Sequence, residues 1–242
     1  MRRLGIVLIL LFLPLSAYGW TAAADARIAT KGAALAPPDL RMLIERFDGD
    51  YRRGIERARQ EESNGTHRER ELRQRLERET TSIATSIRKG DPMATIVERL
   101  GGLSHLVADA NNPFQVRDDD GRLNASQDDY ERYFERRMPK FPTVFYGLAP
   151  NFRLTAYLDK TFARSAKFYP LVGEEYFRGG SRHSSAEFDD RSTAFAIAAV
   201  SYSRAVTDLV NLYYFIWKEA GGDVRAAAVM RDGNLKMVGS GQ

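Results

Sequence analysis

The segment from Phe195 to Trp217 is apolar on nearly every helical face, and this restricts the possible folds more than any other stretch of the chain. A helix that is apolar around most of its circumference needs cover on all sides, so it belongs at the centre of a bundle. Apolar residues elsewhere recur mainly at helical spacing, and no stretch shows the strong alternation that is typical of strands. The sequence therefore predicts an all-α, single-domain multi-helix bundle.

Proline and glycine residues indicate where the predicted helices begin and end. Asp189 or Asp190 is expected to cap the last helix, where carboxylates satisfy free N–H groups. Residues 168–188 and 223–242 lack periodicity and are expected to be irregular. The predicted helices start at Pro38, cover 65–89 with Gly90 behind them, run from Pro92 to about Asn111, cover 127–138 and 152–166, and end with the apolar helix.

The N-terminus has the pattern of a signal peptide. Two arginines precede an apolar run from Leu4 to Leu15, and Ala17-Tyr18-Gly19 supplies small residues at the −3 and −1 positions. The apolar run is too short to span a bilayer, which needs about 20 residues of helix. We expect cleavage after Gly19, a mature chain that begins at Trp20, and export to the periplasm or beyond the cell.

This interpretation divides the chain into a signal peptide at 1–19, a helical domain at 20–222 and a mobile tail at 223–242. No transmembrane segment is expected after cleavage. The chain has no cysteine, which excludes disulfides and a lipidated cysteine anchor. Its 36 basic and 32 acidic side chains lie in mixed-sign runs, a pattern that argues against a surface that coats nucleic acid. The oligomeric state is left open.

His105 and Asp109 are the most informative pair of polar residues in the predicted helices. They stand four residues apart on the helix that starts at Pro92, so both side chains project from one face. An imidazole and a carboxylate at this spacing can bind one divalent metal ion. A simple hydrogen-bonded couple explains the same spacing, and the pair alone does not decide between the two.

The run from Gly101 to Phe114 resembles the signature of the zinc-dependent phospholipase C family and its related single-strand nucleases. In that family a helix reads Leu-Gly-x-x-x-His-x-x-x-Asp-x-x-x-Pro-x-His, and here His105, Asp109 and Pro113 fall in the matching places. The resemblance implies an all-α exported protein whose N-terminal tryptophan binds zinc through its amino group and carbonyl oxygen. Trp20, directly behind the predicted cleavage point, agrees with that feature.

The chain also departs from the family pattern. The family holds three zinc ions with five histidines, whereas this chain has only three histidines in all. Gln115 and Gln127 stand where the signature has histidine, and Asp25 stands in place of a histidine near the N-terminus. A neutral amide oxygen is a weak zinc ligand. We therefore expect one or two zinc ions at most.

The resemblance implies a specific set of site residues. Zinc in this family activates a water molecule that attacks a phosphodiester, and Asp25 or Glu62 would orient that water, with Glu61 as the alternative to Glu62. His183 lies in a loop and is expected to have no role. The implied metal ligands are Trp20, Asp25, His67, His105, Asp109 and Glu131.

Two functions follow from this resemblance. The first is a zinc-dependent hydrolase of a phospholipid or another phosphodiester. The alternative is a degenerate, non-catalytic relative that binds one metal ion or none and acts as a ligand- or partner-binding module. An unrelated helical envelope protein is the third possibility, in which case the match to the signature is accidental.

Overall fold

A computed structural model describes residues 19–62, 69–116, 123–224, 228–231 and 234–237. The fold is all-α, as predicted, and the bundle is followed by one short hairpin. Within these ranges, four short 3-10 helices lie in the connections. The helices are α1 (Ala22–Ala34), α2 (Pro38–Arg46), α3 (Asp48–Glu62), α4 (Glu69–Lys89), α5 (Met93–Ala110), α6 (Gln127–Arg137), α7 (Leu154–Tyr176) and α8 (Thr193–Glu219), and the strands are β1 (Ala228–Arg231) and β2 (Asn234–Met237).

Helix α8 lies at the centre of the bundle, which confirms the prediction from its apolar circumference. It contacts α1, α4, α5 and α7. Its side chains contribute to two buried apolar clusters, Tyr202 and Val210 to one and Leu209 and Leu212 to the other. The two clusters together form the core, and burial of this apolar area supplies the main stabilisation of the fold.

Helices α3 and α5 cross with their backbones in close contact. A Cβ atom on Gly54 would lie 1.7 Å from the carbonyl oxygen of Glu98, and one on Gly101 would lie 1.9 Å from that of Tyr51. Only glycine allows such an approach. The crossing brings the C-terminal half of α3 beside the face of α5 that carries His105 and Asp109.

Two helix boundaries differ from the sequence predictions. Helix α7 continues to Tyr176 with Pro170 inside it, whereas we expected irregular chain from residue 168. Buried Tyr169 and Val172 extend its apolar stripe past the proline, so tertiary packing outweighs the missing N–H donor. Helix α8 begins at Thr193, where the side chain of Ser192 accepts the N–H of Phe195 at 3.1 Å.

The N-cap predicted at Asp189 or Asp190 is therefore wrong. Asp189 Oδ1 accepts the N–H of Arg191 at 2.8 Å in the turn before the helix. Asp190 instead accepts a hydrogen bond from Lys140 Nζ at 2.5 Å. Ser192 is the N-cap of α8, a common role of serine, and Glu175 Oε1 accepts the N–H of Thr193 at 2.7 Å.

The tail contains regular structure where we expected none. Strands β1 and β2 pair antiparallel, with Ala228 opposite Met237 and Arg231 opposite Asn234. None of the helices in the part of the chain that the structure describes is long and apolar enough to cross a membrane.

Candidate functional site

Trp20 anchors the N-terminal end of the domain. Its side chain is buried, and its ring centroid lies 3.8 Å from that of Phe134. The indole Nε1–H donates a hydrogen bond to the carbonyl oxygen of Ala108 at 2.8 Å. The prediction that this ring packs into the domain is confirmed. Cleavage in front of Trp20 stays a prediction.

His105 and Asp109 point into the domain from one face of α5, and their side chains are 1 % and 0 % exposed. The imidazole lies between two carboxylates. Its Nδ1 is 3.0 Å from Asp25 Oδ2, and its Nε2 is 3.2 Å from Asp109 Oδ2. The contact with Asp25 is a hydrogen bond, and the contact with Asp109 lies within ion-pair distance.

Asp25 reaches this position because it lies in the first turn of α1. The side chain of Thr21 caps that helix by accepting the N–H of Ala24 at 3.3 Å. Trp20 therefore lies directly before the capping residue Thr21, and Asp25 lies about one helical turn after that cap. The resemblance implied Trp20, Asp25, His105 and Asp109 as metal ligands. The structure places Asp25 and Asp109 on either side of His105, and the Trp20 indole is bound to Ala108, next to Asp109.

Arg59 of α3 completes the cluster, and the sequence analysis missed it. Its Nη1 donates to the carbonyl oxygen of Trp20 and to Asp25 Oδ2, each at 2.6 Å. The Arg59 side chain is 17 % exposed, so it closes the cluster on the outer side. A guanidinium keeps its positive charge at every working pH. Arg59 therefore supplies a fixed positive charge beside the Asp25 carboxylate.

The sequence contains a pattern that predicts the position of Arg59 beside the core. It stands four residues after Ile55, which is buried, and next to Ala58, which is also buried. On a helix this spacing puts Arg59 at the edge of the buried stripe. A long cation at such an edge can reach inward over apolar neighbours.

Gln127 and Glu131 form a second polar couple on α6. Both are buried, and Gln127 Nε2 donates to Glu131 Oε1 at 3.0 Å. Gln115 is buried as well. Glu131, which the resemblance implies as a metal ligand, thus accepts a hydrogen bond from Gln127 of the same helix. Glu131 as a ligand stays a prediction.

The remaining candidates lie elsewhere or outside the description. His67 and the side chain of Glu62 are outside the described residues. Glu61 is exposed and forms ion pairs with Arg57 and Arg75, and its carboxylate is therefore held on the outer face of α3. His183 Nδ1 lies 2.6 Å from Glu187 Oε2 in a surface loop, and its lack of a functional role stays a prediction.

The cluster can be tested for its fit to a zinc ion. Zinc ligands converge on one point at about 2.0–2.2 Å for nitrogen and oxygen. Here the two nitrogens of His105 face different carboxylates, and Arg59 holds the Trp20 and Asp25 oxygens. Among the described residues, no three or more His, Cys, Asp or Glu side chains form a group that could hold a metal ion. As these side chains lie, they do not form a zinc site.

Comparison with known proteins adds no assignment. The chain matches no protein-family model, no curated protein and no solved structure. The resemblance to the phospholipase C family therefore depends only on the residues named above.

Proposed function

We propose that this protein is a non-catalytic relative of the zinc-dependent phospholipase C family, exported and acting as a binding module for a ligand or partner. The observation that supports this most is the position of Arg59. Its guanidinium binds the two oxygens, Trp20 O and Asp25 Oδ2, that the resemblance assigns to a zinc ion. A fixed side-chain cation thus takes the place of an exchangeable one.

The charge balance of the cluster supports the same conclusion. Buried carboxylates are costly unless cations or donors compensate them. Arg59 compensates Asp25, and His105 contacts both Asp25 and Asp109. These contacts link α1, α3 and α5, and the charge of Asp25 is offset by a side-chain cation.

Hydrolysis is the second candidate function. One observation favours it: Trp20, Asp25, His105 and Asp109, which are distant in sequence, meet in one buried cluster. Signal cleavage would add a free amine at Trp20, and a metal ion that recruits this amine would have to displace Arg59. The substrate in that case is a phospholipid or another phosphodiester.

Zinc content and hydrolysis of the mature chain separate the two functions. We would prepare protein with an authentic Trp20 start, measure zinc per chain at pH 7.5, and assay p-nitrophenylphosphorylcholine and bis(p-nitrophenyl) phosphate. We expect one zinc ion or none and no zinc-dependent hydrolysis. Hydrolysis that needs zinc and disappears in Asp109→Ala would establish the enzyme instead.

The role of Arg59 has its own variant. Arg59→Met removes the guanidinium charge and releases two oxygens, so we expect it to bind zinc at least about tenfold more tightly than the parent protein, because one competing cation is gone. Arg57→Met is the matched control, since Arg57 lies two residues earlier and pairs with Glu98 on the surface. Equal zinc affinity in the parent and Arg59→Met would contradict the proposal that the Arg59 guanidinium takes the place of a zinc ion.

A further inference from the structure

Arg204 of helix α8 is a half-buried cation without an acidic partner. Among the described residues it forms no ion pair and no hydrogen bond, and its guanidinium carbon lies 3.6 Å from the centre of the Tyr146 ring. Its Nε is buried, whereas neither terminal amino group is. The stem of the side chain is therefore fixed by packing and by stacking on the ring, and the two amino groups reach the surface.

The acidic residue nearest to Arg204 on this helix is already fully paired. Asp208 stands one turn further along the same face, and it is buried. Four donors bind its carboxylate, namely Arg164 Nη2 at 2.6 Å, the Tyr157 hydroxyl at 2.6 Å, Thr161 Oγ1 at 3.1 Å and Asn111 Nδ2 at 3.0 Å. A carboxylate offers about four lone-pair positions, so Asp208 has none left for Arg204.

The two arginines leave an excess of positive charge at this place. Arg164 offsets the charge of Asp208, and the charge of Arg204 stays uncompensated among the described residues. Burial, followed by the Asp208 carboxylate, raises the pKa of Tyr157. The positive charges of Arg164 and Arg204 both oppose that rise of its pKa. Both guanidiniums therefore act on one phenol, and an anion near that phenol would be attracted by both.

Arg204 lies between the extended segment 142–149 and helix α7. On α8 the row of Arg204 and Asp208 adjoins the row of Thr207, and Thr207 Oγ1 accepts the N–H of Tyr146 in that segment at 3.1 Å. Helix α7 reaches the row of Arg204 by pairing with Asp208. The Tyr146 ring is 43 % exposed, so the amino groups of the guanidinium stacked on it lie at an open surface.

We propose that Arg204 is the main donor of an anion site between this segment and α7, and that the site takes the oxyanion of a phosphate or carboxylate group. The two amino groups of a guanidinium match two oxygens of such a group and donate charge-assisted hydrogen bonds to both. Because the stem of Arg204 is already held, little conformational entropy is lost when the anion binds. Arg164 adds attraction at longer range. The site shares no residue with the polar cluster around His105.

Arginine Nε–H signals in the NMR spectrum of isotope-labelled protein test the proposal. The buried Nε–H of Arg204 is assigned by its loss in Arg204→Met. Titration with inorganic phosphate at constant ionic strength should shift this signal along a saturable curve. Arg88 provides the comparison, because its amino groups already donate to the Glu219 carbonyl oxygen at 3.1 Å and to Thr85 Oγ1 at 3.2 Å. Its signal should shift less and without saturation.

The variants Arg204→Met and Arg88→Met quantify the site by isothermal titration calorimetry. We expect Arg204→Met to weaken phosphate binding at least about tenfold, because a charge-assisted contact with two oxygens is lost. Arg88→Met should leave the affinity unchanged. A parallel titration with acetate distinguishes the two sources of the oxyanion, since tighter binding of phosphate indicates a phosphate group and tighter binding of acetate indicates a carboxylate. Slow amide exchange at Tyr146 in Arg204→Met checks that the segment stays on α8.

Three results would overturn the proposal. The first is a shift of the Arg204 signal that does not saturate and equals that of Arg88, because phosphate would then act only through the general ion atmosphere. The second is equal phosphate affinity in the parent protein and Arg204→Met. The third is a parent protein that binds neither anion while Arg204→Met speeds amide exchange at Tyr146, since Arg204 would then only hold the segment on α8.

Discussion

Gly101 of α5 lies directly against the backbone of Tyr51 in α3, and a Cβ atom at position 101 would stand 1.9 Å from the Tyr51 carbonyl oxygen. Backbone atoms cannot move aside as a side chain can. The neighbouring Gly102 has more space, since its nearest atom would be the Gly54 carbonyl oxygen at 3.5 Å. This crossing sets the position of Arg59 relative to His105, so it controls the polar cluster.

The first prediction compares alanine at these two adjacent positions. Gly101→Ala should lower the free energy of unfolding by about 1–3 kcal/mol or more, because the helices must separate. Gly102→Ala should leave it unchanged or raise it by up to about 1 kcal/mol, because alanine favours helix. Urea unfolding of both variants and the parent measures the difference. Equal effects would show that the crossing tolerates a methyl group.

The second prediction concerns Asp208, a buried carboxylate of α8. Arg164 Nη2 donates to its Oδ2 at 2.6 Å, and Tyr157, Thr161 and Asn111 add neutral donors. Arg164→Met leaves this charge without its cation, and should cost about 3–5 kcal/mol of stability. Thermal or urea unfolding provides the measurement.

Arg52→Met is the control for this buried pair. Arg52 and Asp48 are 74 % and 54 % exposed, so their loss should cost less than about 1 kcal/mol. The double variant Arg164→Met/Asp208→Asn should recover part of the stability that Arg164→Met loses, because the buried charge is gone. A double variant no more stable than the single one would contradict the electrostatic explanation.

Local patterns explain which parts of the fold were predictable. The apolar circumference of α8 required a central position, and Gly90, with a φ of +75°, lies directly after α4 as expected. Pro170 misled the prediction of α7, because the packing of Tyr169 and Val172 depends on other helices. Packing between distant segments leaves little trace in a local pattern.

In the candidate site, too, the features within one helix were predictable and the contacts between distant segments were not. The shared face of His105 and Asp109 follows from a spacing of four residues on one helix. The contact of Arg59 with Trp20 depends on how α3 crosses α5, and the glycines that permit that crossing carry no side chain to reveal it. The extended segment 142–149, which we call the strap, was missed because the side chains of Ser203, Thr207 and Asn211 on α8 hold it, and no neighbouring strand does.

The third prediction is a pH window for the loop of His183. Glu187 Oε2 lies 2.6 Å from His183 Nδ1. The hydrogen bond to Glu187, followed by that to the Arg178 carbonyl, raises the pKa of His183 above 6.5. The hydrogen bond from His183, followed by that from the Ser184 N–H, lowers the pKa of Glu187 below 4.5.

The signs of these shifts define the window. The raised pKa of His183 contributes stability below pH 6.5 that is lost as the pH rises through the folded pKa. The lowered pKa of Glu187 contributes stability above pH 4.5 that is lost as the pH falls through its folded pKa. The pair therefore contributes most between pH 4.5 and 6.5. NMR titration should show the pKa of His183 falling towards 6.5 in Glu187→Gln, and an unchanged value would contradict the pairing.

The last prediction tests how Thr207, in the polar stripe of α8, holds the strap. Thr207 is buried, and its Oγ1 accepts the N–H of Tyr146 at 3.1 Å. Thr207→Val keeps the shape but leaves that N–H without its acceptor, which should cost about 1–3 kcal/mol. Thr207→Ser keeps the hydroxyl and loses a methyl group, so it should also cost about 1 kcal/mol.

The stabilities of the two variants alone therefore do not separate a hydrogen bond from packing. Amide exchange at Tyr146 does, because it should accelerate in Thr207→Val and stay slow in Thr207→Ser. Equal acceleration in both variants would show that the methyl group, and not the hydroxyl, holds the strap on α8.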